Sequence, residues 1–281
     1  MHYTIRPLIR RGGAIRRHPG AALAQGMGLA IVLAWSTGAA ATQSGATTEA
    51  IKSLAASPQS TRALPAQPPV SRKPRILDFV RQPASPEVKH LAYWIGDADD
   101  NGRMPYLIVD KVNAEVFAFS ANGQLLGAAP ALLGMARGDG SVKGIGNRKL
   151  SAIGPADRTT PAGRFIASLS HDVHGQEILV IDYADSIALH PVVKGTPQER
   201  RAERLLSPTP KDNRISFGCI NVPLKFYQSI VSPEFTHTTG VVYILPETTT
   251  ARKVFGAYDV DVGAHERITA RSKSKSSVHP L

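Results

Sequence analysis

One short stretch of the chain reads Arg214-Ile215-Ser216-Phe217-Gly218-Cys219-Ile220-Asn221. It contains the single cysteine among 281 residues, so no disulfide can form within the chain. Gly218 precedes the thiol and permits a tight turn with close approach of a ligand. Apolar residues at helical spacing follow, from Val222 or Pro223 to about Val231, and Pro233 would end that helix. We therefore expect Cys219 beside a helix N-terminus, whose partial positive charge favours a thiolate.

Two interpretations of this thiol remain open on spacing alone. In the first, Cys219 is a nucleophile, and the backbone N–H groups around Gly218 and Cys219 hold an oxyanion. In the second, Cys219 is a buried, inert side chain in front of a helix, as most unreactive cysteines are.

Four segments, in order along the chain, resemble the catalytic domain of the L,D-transpeptidases. Ser216–Asn221 is similar to its S/T-H-G-C-x-N motif, and Thr160–Phe165 to its T-P-x-G-x-F segment. Residues 108–119 resemble its opening hairpin. His190 ends a predicted strand before the motif, where that family places its catalytic histidine. The resemblance covers about Pro105 to Glu247, roughly half of the chain, and four matches in order are far more specific than one.

The resemblance implies a cysteine acyltransferase that acts on stem peptides of peptidoglycan without cofactor or metal. Cys219 would attack the peptide carbonyl and form a thioester, and His190 would take the thiol proton. An amine of another stem would then resolve the thioester, whereas water would make the enzyme an L,D-carboxypeptidase or endopeptidase. The residues implied in shaping the loop or the oxyanion site are Gly218, Ser216 and Asn221. Arg214 would bind a substrate carboxylate, or else be a solvated charge at the rim.

The chain departs from the family pattern in two places. Phe217 stands where the family has a second histidine, which leaves open a non-catalytic, peptidoglycan-binding pseudoenzyme. His190 lies 29 positions before Cys219, and an inserted helix over 197–206 accounts for the excess. Thr196 and Glu199 form a capping box at its start. This insertion is either a lid over an anionic polymer or an exposed amphipathic segment.

The pattern of short β-branched and aromatic runs predicts a mainly β fold, an L,D-transpeptidase-like β-sandwich with a few short helices. The predicted strands are Tyr106–Asp110, Glu115–Ser120, Gln124–Leu133, Arg164–Ser170, Glu177–Asp182, Ser186–His190 and Val241–Leu245. A short helix is expected around Ile76 to Trp94. Residues 105–250 form the predicted catalytic domain, preceded by a helical extension over 73–104.

The N-terminus of the chain predicts export to the periplasm or cell envelope. Residues 1–41 combine five arginines, an apolar run and an A-x-A pattern at Ala39–Ala41, which is typical of a signal peptide. Residues 42–72 are rich in Ala, Ser, Thr, Gln and Pro and predict a disordered linker. Residues 251–281 form a C-terminal extension with a basic, disordered tail. Membrane contact is expected through residues 1–41 only.

The net charge of +11 lies mostly outside the predicted domain. Residues 1–41 carry +5 and residues 264–281 carry +3, which leaves +3 for residues 42–263. Nucleic-acid binders concentrate basic charge on the folded domain, so we expect no nucleic-acid partner. His171 and His174 suggest a metal pair, and Asp97–Gly102 begins like a calcium loop, but neither has a full ligand set.

Overall fold

The computed structural model describes residues 79, 82–265 and 267. The expected signal peptide (1–41) and linker (42–72) lie outside the described residues, as do most of residues 73–81 and of the tail after residue 265. Within the described part, no helix combines the length and apolarity needed to cross a bilayer.

The described chain is mainly β with a few short helices, as the sequence predicts. The strands are β1 (Tyr106–Asp110), β2 (Glu115–Phe119), β3 (Leu125–Pro130), β4 (Leu133–Gly134), β5 (Gly163–His171), β6 (Glu177–Asp182), β7 (Ile187–Pro191), β8 (Arg214–Ser216), β9 (Ile220–Val222) and β10 (Gly240–Ile244). The helices are α1 (Pro86–Ala98), α2 (Arg201–Leu206), α3 (Leu224–Phe226), α4 (Ser232–Phe235) and α5 (Ala251–Phe255).

Eight strands form one sheet in the order β3-β2-β1-β10-β5-β6-β7-β9, while β4 and β8 pair separately. The long strand β5 belongs to both halves of this sheet: Gly163–Ala167 pair with β10, and Ser168–His171 pair with β6. Residues of both halves, such as Val109 and Leu189, pack into one buried core. The layers of the expected sandwich are thus two halves of a continuous sheet folded over a shared core.

Helix α1 covers the outer face of the first half of the sheet. Leu91 and Ile95 are fully buried there, in a cluster with residues of β1, β2 and β10. The helix begins later than the expected Ile76–Trp94, because Ser85 caps it by accepting from the Val88 N–H and Pro86 occupies the first turn. It runs four residues beyond Trp94 to Ala98.

The expected helix from Val222 or Pro223 is present and starts at Leu224, but the expected position of Cys219 beside its N-terminus is wrong. Strand β9 follows the thiol and pairs in parallel with β7, where Leu189 lies opposite Ile220. Helical structure starts at Leu224 and continues past Pro233 to Phe235 through a π-helical turn. Pro233 is tolerated because it lies in the first turn of α4. Cys219 therefore has no adjacent helix dipole.

Candidate active site

Cys219 and His190 face the same side of the sheet. Leu189 and Ile220 are paired and point into the core, so the alternating neighbours His190 and Cys219 point the other way. Cys219 packs against Ala188 and its buried neighbours on that side. A cavity of about 100 Å³ lies there, lined by residues that include His190, Arg201, Ser216, Phe217, Cys219 and Asn221.

The loop before the thiol is held by three hydrogen bonds. Ser216 Oγ donates to the Cys219 carbonyl at 2.6 Å and accepts from the Gly218 N–H at 3.1 Å. Thr160 Oγ1 donates to the Gly218 carbonyl at 2.8 Å. The Gly218 N–H, expected to help bind an oxyanion, is thus already engaged in shaping the loop.

Gly218 has a backbone conformation and surroundings that only glycine fits. Its φ is 135°, a value that side chains with a Cβ rarely adopt. A Cβ atom there would lie 2.8 Å from Ile187 Cδ1 and 2.9 Å from the Thr159 carbonyl oxygen. The close packing of Gly218 against the neighbouring backbone fixes the direction from which the chain reaches Cys219.

His190 is buried and neutral. The residue is only 2% exposed, and its Nδ1 atom lies 2.9 Å from the Pro191 carbonyl oxygen. A carbonyl oxygen can only accept, so Nδ1 carries the proton and Nε2 has the lone pair. Burial lowers the pKa of His190 to about 4, although the hydrogen bond to Pro191 raises it. The imidazole is therefore available as a base at neutral pH.

The Cys219 thiol is also neutral at rest. Burial raises the pKa of Cys219 above its ordinary value, and Sγ donates to the Ser186 carbonyl at 3.6 Å. The thiolate that we expected from a helix dipole is thus disfavoured. The sulfur requires a base to become nucleophilic.

We expect Cys219 to be alkylated slowly at neutral pH, because its raised pKa lowers the fraction of thiolate. The rate of iodoacetamide addition should keep rising above the pH at which a free cysteine levels off, near 8.5. Intact mass reports this rate directly, since the chain has one cysteine. The same protein in denaturant is the control and should react faster at neutral pH. Equal rates would contradict the burial of the thiol.

Arg214 is not among the described residues that line the cavity. Its guanidinium makes a bidentate ion pair with Glu247, at 2.7 and 3.2 Å, and donates to the Lys111 carbonyl at 2.7 Å. Both charged side chains are buried, at 8% and 2% exposed. Because each compensates the other's charge, the role expected for Arg214 in binding a substrate carboxylate is replaced by a structural one.

Lys111 joins the two ends of a segment, residues 138–160, that lies over the cavity. We name residues 138–160 the cover segment, because Ile145, Leu150 and Ile153 in it line the cavity. Lys111 Nζ donates to the carbonyl of Gly138 at 2.6 Å and to that of Thr160 at 3.0 Å, so one buried ammonium joins both ends of the segment. Asp139 pairs with it at 2.8 Å.

Phe217, which stands where the resembled motif has a second histidine, has a packing role. The Arg158 guanidinium lies 3.8 Å from the centre of its ring, and Arg158 also donates to the Ile153 carbonyl. A cation over an aromatic face is attracted by the ring quadrupole. Phe217 therefore helps to hold the cover segment against the loop that carries Cys219.

Arg201 is a site residue that the sequence analysis assigned only to an insertion. The insertion is not one helix: a 3₁₀ turn over Pro197–Glu199 is followed by Arg200 at φ 45°, and α2 then starts at Arg201. This break directs Arg201 into the cavity, where Nη1 donates to Asn221 Oδ1 at 3.0 Å. The capping box at Thr196–Glu199, confirmed by the structure, was the available signal for an ordered segment.

The two candidate metal motifs are parts of turns. His171 ends β5, and Asp172 Oδ1 accepts from the N–H groups of His174 and Gln176, which makes a hairpin turn. In the Asp97–Gly102 stretch, Asp99 is the C-cap of α1. Over the described residues, no three His, Cys, Asp or Glu side chains come together as a potential metal site.

Comparisons with known proteins returned solved structures only. No family model and no curated protein matches the sequence. One similar structure is a mutant of the helical cell shape determining protein Pgp2 from Campylobacter jejuni, at 12% identity and a TM-score of 0.35, covering 59% of this chain and 58% of that one. Another is the catalytic domain of the E. faecium L,D-transpeptidase, at 17% identity and a TM-score of 0.24, covering 51% of this chain and 98% of that one. The case for function therefore rests on the site.

Proposed function

We propose that this protein is an exported peptidoglycan L,D-transpeptidase of the periplasm or cell envelope, which acts through a thioester on Cys219. The observation that supports this proposal most is the placement of the single thiol and a buried, neutral imidazole on one face of the sheet, lining one cavity. The motif around Cys219 and the ordered loop that presents it add to that support.

The first half-reaction breaks the peptide bond after the third residue of a stem tetrapeptide. Cys219 Sγ attacks the carbonyl carbon, and the thiol proton passes to His190 Nε2, which gives up its hydrogen bond with Asn221 Nδ2 in this step. The Cys219 N–H is the proposed donor to the oxyanion, because the Gly218 N–H is engaged by Ser216. The imidazolium then protonates the departing amine, which leaves as D-alanine, and a thioester remains.

The second half-reaction restores the thiol. An amine of another stem attacks the thioester carbonyl and gives a proton to His190, and the C–S bond breaks. The thiolate takes that proton back. His190 accepts one proton and returns it in each half-reaction, and the lowered pKa of His190 together with the raised pKa of Cys219 opposes this transfer in the resting protein.

Muropeptide analysis tests the proposal. The purified full-length protein, given disaccharide-tetrapeptides, should release D-alanine and form L,D-crosslinked dimers, and Cys219→Ala should do neither while keeping the wild-type melting temperature. A lactam of the carbapenem class should add its mass to the wild type and not to Cys219→Ala. If D-alanine is released without dimers, water is the acceptor and the protein is a carboxypeptidase.

The second candidate is a non-catalytic, peptidoglycan-binding protein. The raised pKa of Cys219 and the replacement of the second motif histidine by Phe217 favour it. It predicts cosedimentation with cell-wall sacculi, with no release of D-alanine and no lactam adduct. That set of results would eliminate the transpeptidase.

A further inference from the structure

A chain of hydrogen bonds connects the insertion after β7 to His190. Arg201 Nη1 donates to Asn221 Oδ1 at 3.0 Å, and Asn221 Nδ2 lies 3.3 Å from His190 Nε2. The three residues are 9%, 1% and 2% exposed. Buried polar side chains in contact affect one another more strongly than exposed ones, because the local dielectric is low.

The direction of each bond in this chain is determined by Arg201. A guanidinium can only donate, so the atom of Asn221 that faces it must be the amide oxygen. The amide nitrogen of Asn221 then faces His190, and because this nitrogen can only donate, His190 Nε2 must accept. The Pro191 carbonyl imposes the same tautomer from the other side of the ring, with the proton on Nδ1.

The backbone of Asn221 is held in place on both sides. Its backbone N–H donates to the Leu132 carbonyl at 2.9 Å, and its carbonyl accepts from the Leu132 N–H at 2.8 Å. With the backbone held by Leu132 on one side and by β7 on the other, only rotation of the amide group can change its contact with His190. Arg201 opposes that rotation.

The insertion is built to hold Arg201 in place. Glu199 Oε2 accepts from Arg201 Nε at 2.8 Å and from the Thr196 N–H at 3.1 Å. A Cβ atom at Gly195 would collide with the Glu199 carboxylate and lie 2.8 Å from Arg201 Nε. By contrast, the adjacent Arg200 pairs with Glu203 at the surface, where both side chains are about two-thirds exposed.

We propose that Arg201 is a positioning residue that, through Asn221, holds His190 in the tautomer with the proton on Nδ1 and the lone pair on Nε2. The insertion is then neither a lid nor a passive surface segment but the support of the base. The role of this arrangement in catalysis rests on the proposed function. The tautomer of His190 itself can be tested on the protein without a substrate. Arg201 acts without touching the reacting atoms.

The first test is the tautomer of His190 by nitrogen NMR on isotope-labelled histidine at neutral pH, with its signals identified by their absence in His190→Gln. The wild type should show a protonated Nδ1 and an unprotonated Nε2. Arg201→Gln frees the Asn221 amide to rotate and should give a mixture of tautomers, and Arg201→Lys should restore the wild-type pattern. Arg200→Gln, the same change at the neighbouring residue, should leave the spectrum unchanged. A wild-type pattern in Arg201→Gln would overturn the proposal.

Asn221→Asp tests the same chain without removing Arg201. A carboxylate beside Arg201 stays ionised and can only accept, so it should draw a proton onto His190 Nε2. This variant should therefore show the opposite tautomer or a cationic ring, and an unchanged lone pair on Nε2 would contradict the proposal. Because Asp keeps the size of Asn and an ion pair with Arg201, the test survives if Arg201→Gln fails to fold.

Alkylation of Cys219 gives an independent readout. The charge of Arg201 favours the thiolate, so its loss in Arg201→Gln should lower the rate of iodoacetamide addition at neutral pH. Arg201→Lys should keep most of the wild-type rate, and Arg200→Gln all of it. These outcomes do not require a peptidoglycan reaction, so they separate failure of this proposal from failure of the proposed function. Equal rates in wild type and Arg201→Gln would count against the coupling.

Discussion

Replacing His190 by glutamine is expected to lower the rate of L,D-crosslink formation by about 10²–10⁴-fold. The thiol of Cys219 is neutral at rest, so its attack depends on transfer of its proton to the imidazole. Glutamine can keep a hydrogen bond but cannot take that proton. The measurement is the yield of crosslinked dimers with time. His174→Gln, an exposed histidine in the β5–β6 turn, is the matched control and should retain wild-type activity.

The same variant should change the dependence of stability on pH. Histidine titrates near 6.5 when unfolded, and His190 at about 4 when folded. Between these values the unfolded chain binds more protons, so His190 destabilises the native state as the pH falls from 6.5 to 4. Relative to His190→Gln, the wild type should lose up to about 3 kcal/mol of unfolding free energy over this range. Parallel curves for the two proteins would refute the burial of a neutral imidazole.

Glu247→Ala is expected to destabilise the fold by about 3–5 kcal/mol, the usual cost of breaking a buried ion pair by removing one partner. Arg214 loses its bidentate partner and Lys111 a carboxylate at 3.9 Å, and both cations stay buried. The Gly138 N–H also loses its acceptor. For a domain of this size, the melting temperature should fall by roughly 10 °C.

Two further variants make the Glu247 result specific. Glu247→Gln retains hydrogen-bonding oxygen but no charge, and it should lie between Glu247→Ala and the wild type. Glu203→Ala removes an exposed carboxylate paired with Arg200 and should leave the melting temperature unchanged, because surface pairs contribute little. If Glu247→Ala and Glu203→Ala have the same melting temperature, the buried cluster does not stabilise the fold.

The sequence predicts the strands well where local signals agree with packing. Strand β1 and strand β6 have the predicted bounds, because their runs of β-branched and other apolar residues end at clear turns. The helical spacing of Leu224, Tyr227 and Ile230 predicts a helical region that the structure contains, but the three-residue strand β9 between it and Cys219 has no signal of its own. So short a strand exists through its pairing with β7, a tertiary effect that local propensity does not contain.

The site was predicted in part for a similar reason. The structure places Cys219, His190, Ser216 and Asn221 around one cavity, and the roles that the resemblance implies for them there are proposals. Arg214 lies in the same motif but points into an ion-pair cluster, and sequence proximity does not reveal the direction of a side chain. Arg201 lies in a run of arginines, and only the backbone break at Arg200 distinguishes it from its exposed neighbours.

The joining of Gly138 and Thr160 by one ammonium group makes the cover segment a closed loop. Both of its ends are fixed by Lys111, and Thr160 in turn fixes the loop of Cys219. Asp139 and Arg158 within the segment also take part, through an ion pair with Lys111 and a contact with the Phe217 ring. A disturbance of Lys111 is therefore passed through Thr160 to the loop that carries Cys219.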